Sequence, residues 1–183
     1  MKTRLITTAT ALLLGLACTQ CGTTGCEDFE TYPAGSTYSV GNALSGGPSG
    51  SWVFADYTWF DGRTTSNGSA TIDQRNQAGE NGQDIRLNNI YMLRGYEDHA
   101  DRITFWIGYY GGNVNLMLND SLYYATNNVR DWVGYAFPDI TSLTVKLVRN
   151  VPGGAIYHID AQGDIRSFGI GGQELWLDHV CTY

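Results

Sequence analysis

The chain has no cysteine between Cys26 and Cys181; its four cysteines, at 18, 21, 26 and 181, crowd the two ends. No paired CxxC spacing with histidines accompanies them, which argues against a zinc centre. Positive charge is also scarce. Eleven Lys and Arg against eighteen Asp and Glu leave a net charge of −7 and a pI near 4.7, so nothing neutralises phosphates and a nucleic-acid partner is not expected. The three histidines, 99, 158 and 179, lie far apart, with no Gly-x-Ser-x-Gly or His-Glu-x-x-His pattern around them. Gly169-Ile170-Gly171-Gly172 joins strand-like segments and opens no helix, so it is not a phosphate cradle. Eighteen acids allow carboxylate pairs in almost any fold, so their presence does not indicate glycoside hydrolysis. No catalytic centre is expected.

Long uncharged apolar runs are missing too, except at the start. Lys2 and Arg4 precede an apolar stretch from Leu5 to Leu16, the order of a secretory signal and too short to span a bilayer as a helix. Residues 1–17 are expected to be a signal peptide. Gly15-Leu16-Ala17 fits the small-x-small cleavage rule, and Leu14-Gly15-Leu16-Ala17-Cys18 is similar to a bacterial lipobox, with Gly15 where leucine is usual. Cys18 is therefore a candidate lipidation site. Its neighbour Thr19 lacks the aspartate of an inner-membrane retention signal, so the protein is expected to be secreted or to sit at the outer membrane as a lipoprotein. Residues 18–25 read as a tether and 26–183 as one domain.

Cys26 just precedes the first strand-like segment and Cys181 follows the last. In an oxidising compartment a Cys26–Cys181 disulfide would staple the termini. Four cysteines allow three pairings, and Cys18–Cys21 forms one of them if Cys18 carries no lipid.

Twelve tyrosines, five tryptophans and 23 glycines with few charges point to short strands and turns. Period-two alternation recurs while helical periodicity does not. Ile103, Phe105 and Ile107 alternate with Thr104 and Trp106; Val114, Leu116 and Leu118 alternate with Asn113, Asn115, Met117 and Asn119. Tyr109-Tyr110-Gly111-Gly112 between them reads as a hairpin turn. Similar runs cover residues 28–32, 37–40, 52–60, 69–73, 85–93, 143–148, 155–160, 164–170 and 173–180. Residues 123–136 are least regular, a long loop or a short helix. About ten strands without a repeat predict an all-β, two-sheet antiparallel jelly-roll β-sandwich. An immunoglobulin sandwich competes less well because its Cys…Trp…Cys spacing is absent.

Cys26-Glu27-Asp28-Phe29-Glu30 and Leu175-Trp176-Leu177-Asp178-His179-Val180 resemble the terminal strands of jelly-roll carbohydrate-binding modules of the galactose-binding-like type. That resemblance covers both ends and the strand rhythm, not the middle. It implies a structural calcium ion held by Glu30 and Asp178, with Asp28 a third ligand. Carboxylate oxygens suit Ca²⁺, although His179 stands where the family often has a second acid. The alternative is that these are ordinary acids at strand ends.

Sugar binding needs aromatic faces beside amides. Trp106, Asn113 and Asn115 are the candidates for one outer face, with Trp59, Tyr57, Tyr109 and Tyr110 extending it or lining a loop-borne site. Alternatively, Trp106 packs beneath a loop and the asparagines form a solvated ladder. The expected role is non-catalytic glycan binding outside the cytoplasm. The competing ones are a structural or adhesive surface protein with a protein partner, and a small glycan-active enzyme. Asn67-Gly68-Ser69 and Asn119-Asp120-Ser121 fit glycosylation sequons.

Overall fold

Alternating residues commit to strands wherever one face finds a core, and nearly all of them do. The computed structural model describes residues 25–46, 50–79, 82–125 and 128–183. The signal segment, Cys18, Cys21 and most of the tether lie outside these residues. The strands are β1 (Gly25–Glu27), β2 (Thr37–Ser39), β3 (Ala43–Leu44), β4 (Trp52–Thr58), β5 (Thr64–Thr65), β6 (Ser69–Asp73) and β7 (Asp84–Asn88). They continue with β8 (Ile90–Tyr109), β9 (Val114–Leu118), β10 (Ser121–Ala125), β11 (Ile140–Val151), β12 (Gly154–Gly172) and β13 (Leu175–Thr182). One 3₁₀ helix, Val129–Gly134, stands in the irregular stretch. Every pairing is antiparallel. Among the described residues no helix is long and apolar enough to cross a membrane.

Two long strands organise the rest. β8 and β12 pair along almost their whole length, with register shifts between Gln162 and Ser167. On one side of that irregularity the order is β11–β12–β8–β13–β7–β6–β2. On the other it is β10–β9–β12–β8–β4–β3. We call these the first and second lobes. Their inner faces share one core: Phe105 of the first lobe packs on Phe168 of the second at 5.0 Å, and Trp52 meets Phe168 edge-on at 5.8 Å. Fully burying each such ring contributes about 1.5–3 kcal/mol. The arrangement is all-β, antiparallel and compatible with a β-sandwich.

Four expectations need correction. Strands β8 and β9 do not form a hairpin: β9 pairs with β10 and β12, so Gly111 and Gly112 carry the chain from one lobe to the other. Residues 28–32 are a turn rather than a strand. Phe29 sits at φ 60°, with its N–H donated to Glu27 Oε1, and the Tyr32 hydroxyl donates to Glu27 Oε2. The 85–93 run is broken at Asn89, where φ is 53°, and becomes β7 and β8. Residues 155–160 and 164–170 join into the single strand β12, because β8 offers a partner across the gap.

Antiparallel register sets Cys26 opposite Cys181, and the two are disulfide-bonded across a separation of 155 residues. Loop-closure entropy sets about 5 kcal/mol as the ceiling for its stabilisation.

Candidate functional site

The candidate residues fall into three groups rather than one. The first is an acidic pole where the 28–33 turn meets the start of β7 and the middle of β13. Asp178 lies one position past the Leu177–Ile85 pair on β13, as Asp84 does on β7. Exposure is only 2% for Asp178 and 1% for Asp84. Burial pushes the Asp178 carboxyl up to about 8, and the charges of Asp84, Asp28 and Glu30 push the same way against one backbone bond from His179. Burial likewise raises Asp84 to about 7, although it accepts the N–H groups of Ala78 (2.9 Å) and Gln77 (2.5 Å).

Glu30 Oε1 accepts the Gln83 N–H, and Gln83 Nε2 donates to the carbonyls of Phe29, Glu30 and Tyr32. None of Asp28, Glu30, Asp84 and Asp178 joins a salt bridge among the described residues. Asp84 Oδ1 and Gln83 Oε1 are buried with no donor. By type, these oxygens, the unpaired Asp84 Oδ1 and Gln83 Oε1 among them, are ones a hard cation such as Ca²⁺ takes. These carboxylates are not drawn to ligand spacing. Among the described residues the three ligand side chains grouped within 4.8 Å are Cys26, His179 and Cys181, whose sulfurs are bonded to each other.

The second group lies on the outer face of the second lobe. Tyr57 packs on Tyr91 at 5.1 Å, and Trp59 meets Tyr57 edge-on at 5.4 Å. The Tyr57 hydroxyl donates to the Asn113 carbonyl at 3.1 Å. Asn115 Nδ2 donates to the Tyr91 hydroxyl at 2.7 Å and to the Thr58 carbonyl at 3.0 Å. Burial raises both tyrosine hydroxyls, so both remain protonated donors. Tyr91 can lie this flat because β12 has glycine beneath it: a Cβ on Gly171 would come within 2.5 Å of the ring. Asn115 has 0% exposure, so the asparagines form no solvated ladder. Two amide atoms in this cluster, Asn113 Nδ2 and Asn115 Oδ1, are buried without partners. Tyr109 stands at the margin, its hydroxyl donating to the Gly112 carbonyl at 2.9 Å.

Trp106 and Tyr110 form the third group, on the outer face of the first lobe. Trp106 packs against His158 at 5.2 Å and is half-buried beneath the segment after β6. Gly79 in that segment has φ 118°, and a Cβ there would meet Ile156 at 2.5 Å and Trp106 at 3.3 Å. Tyr110 stacks edge-on with Trp176 at 4.8 Å. The structure thus gathers Trp59, Asn113, Asn115 and Tyr109 and separates them from Trp106 and Tyr110.

Sequence reading missed Asp84, Gln83, Tyr57 as a central member, and Tyr91. Asp84 opens an ordinary alternating strand, and only cross-strand register brings it to Asp178. For Tyr91 the signal was present: an outward tyrosine in a strand-like run, with small-residue positions elsewhere to receive it. Comparison with protein-family models, with curated proteins and with solved structures returns no significant match.

Proposed function

We propose that this chain is an exported, non-catalytic glycan-binding domain, a two-sheet jelly-roll β-sandwich stapled at its ends by a disulfide and a calcium ion. The observation that carries the reading is the convergence of Trp59, Tyr57, Tyr91, Asn113 and Asn115 around one unpaired donor and one unpaired acceptor. A buried polar atom without a partner costs about 1–3 kcal/mol. A sugar hydroxyl is donor and acceptor at once and satisfies both, while aromatic rings pack on its C–H surface. The β4–β5 hairpin covering the pair has two paired positions, Tyr57–Thr65 and Thr58–Thr64, and a Trp59 N–H bond to the Arg63 carbonyl at 2.7 Å. Ligand enters as this hairpin lifts.

Non-catalytic action is supported by burial. Raised carboxyls such as Asp84 and Asp178 are what a general acid requires, but at 1% and 2% exposure neither reaches a glycosidic oxygen. Calcium at the acidic pole would be held by Asp178, Asp84, Glu30 and Asp28, with Gln83 Oε1 a neutral donor. Its charge would cancel a repulsion that the nearby Arg75 charge relieves only in part at Asp84. The disulfide agrees with an oxidising compartment, as does the signal-like N-terminus, with Cys18 as lipid anchor.

Exposed Phe60 (62%) and Val53 (49%) favour a second reading, an adhesive surface protein that packs these residues against a protein partner. A glycan array probed with the chain lacking residues 1–17, followed by calorimetry on each hit, separates the two. The expected result is binding to glycans that Trp59→Ala removes. An array without hits, alongside a protein complex broken by Phe60→Ser, would overturn the first reading for the second.

A further inference from the structure

Two guanidiniums pack on the indole of Trp176, with Arg75 Cζ at 5.4 Å and Arg86 Cζ at 5.3 Å from the ring. The indole N–H donates to Asp73 Oδ2 at 3.0 Å. Asp73 is also the partner of Arg75, through Nε at 2.8 Å and Nη2 at 2.5 Å. Arg75 is therefore neutralised where it lies. Arg86 is not. Among the described residues its side chain forms no hydrogen bond or ion pair, and its Nε is buried without an acceptor. A groove of about 420 Å³ opens beside it, lined by Gly35, Thr71, Asp73, Gln74, Arg75 and Arg86. Thr71 is the cross-strand neighbour of Arg86, so a hydroxyl stands next to the free guanidinium.

We propose that this groove is a second ligand subsite that takes the carboxylate of an acidic sugar, with Arg86 as its grip and Thr71 beside it. The inference rests on the reading that the ligand is a glycan. With Arg75 balanced by Asp73, the groove carries one net positive charge, which suits a monoanion. A dianion such as a phosphate monoester would meet the Asp73 carboxylate. A uronate brings one charge in a planar two-oxygen head, which matches the parallel N–H groups of a guanidinium. Packing on Trp176 pre-orients Arg86, so little side-chain entropy is lost on binding. Trp176 itself is 6% exposed; it positions Arg86 and does not touch the sugar. The groove lies in the first lobe, apart from Trp59 and Asn115. It selects acidic glycans, and the tyrosine–asparagine cluster supplies the neutral contacts.

The test is calorimetry with a glucuronate-bearing oligosaccharide, its methyl ester and a sulfated oligosaccharide of the same length. The acid is expected to bind at least about tenfold more tightly than the ester, the gain of a charge-assisted bidentate pair. Arg86→Gln should erase that preference, and Arg86→Lys, which keeps the charge but not the fork, should retain only part of it. Equal binding of acid and ester by the wild-type chain overturns the proposal whether or not any variant folds. A preference that survives intact in Arg86→Gln also overturns it, and so does tighter binding of the sulfated sugar. Loss of neutral-glycan binding in Trp59→Ala with the acid preference intact would leave both sites standing. An acid preference without any neutral-glycan binding would remove the tyrosine–asparagine site alone.

Discussion

The acidic pole and the tyrosine–asparagine cluster both bury polar groups, and they differ in what those groups lack. At the pole the groups are four carboxylates that join no salt bridge among the described residues, and burial raises Asp84 and Asp178 to about 7 and about 8. In the cluster they are neutral hydroxyls and amides that largely satisfy one another, short of one donor and one acceptor. A buried charge calls for a counter-ion and a buried amide for a hydroxyl. Under the proposed function, the first region would take a structural metal and the second a sugar.

The largest expected effect concerns the staple that holds the pole together. Replacing Cys26 and Cys181 by serine removes a cross-link worth at most about 5 kcal/mol, which lowers Tm by about 10–20 °C in a domain this size. Thermal melts of the double variant check this, and a drop under a few degrees would show that the acidic pole closes without the bond.

Calcium comes next. At a hundred times its Kd, a ligand bound only by the folded state adds about 2.7 kcal/mol, or about 5–10 °C. The pH dependence has a definite sign. Asp84 and Asp178 carry folded pKa values of about 7 and about 8, above the usual carboxylate value of about 4. Between these limits the folded state binds more protons than the unfolded one, so stability without calcium falls as pH rises from about 4 to about 8. Melts in EDTA across that range should show the decline, and calcium should abolish it at the upper end. Asp84→Asn should flatten the decline in EDTA and weaken the calcium response. A Tm in EDTA independent of pH would mean that these carboxylates are not held in strain.

These predictions rest on contacts whose visibility in the sequence was uneven. Alternation at Ile103–Ile107, Val114–Leu118 and Leu143–Leu147 marked real strands, because local period-two patterning reports which face is buried. The flanking positions of Cys26 and Cys181 made the staple legible. Pairing did not follow, since register is a long-range property: nothing near Gly111 and Gly112 shows that the chain crosses to another lobe there. Trp106 and Asn115 looked like neighbours for that reason, and the same blindness hid Asp84 from Asp178. Nor does alternation show that the segment after β6 folds back over Trp106.

Smaller effects discriminate inside the cluster. Asn115→Ala should cost about 1–3 kcal/mol in urea unfolding, because the Tyr91 hydroxyl loses the amide donor and the Thr58 carbonyl keeps only the Tyr91 hydroxyl, at 3.4 Å. Trp59 is half-exposed at the hairpin end, so Trp59→Ala should shift the urea midpoint little while removing glycan affinity. Trp106→Phe, on the other lobe, should leave that affinity unchanged.

The most direct measurement is therefore a calorimetric titration of one array-identified neutral glycan against three proteins: wild type, Trp59→Ala and Trp106→Phe. Binding by wild type and Trp106→Phe with at least a tenfold loss in Trp59→Ala is the expected result. Equal binding by all three, or loss only in Trp106→Phe, would contradict the placement of the sugar on the second lobe.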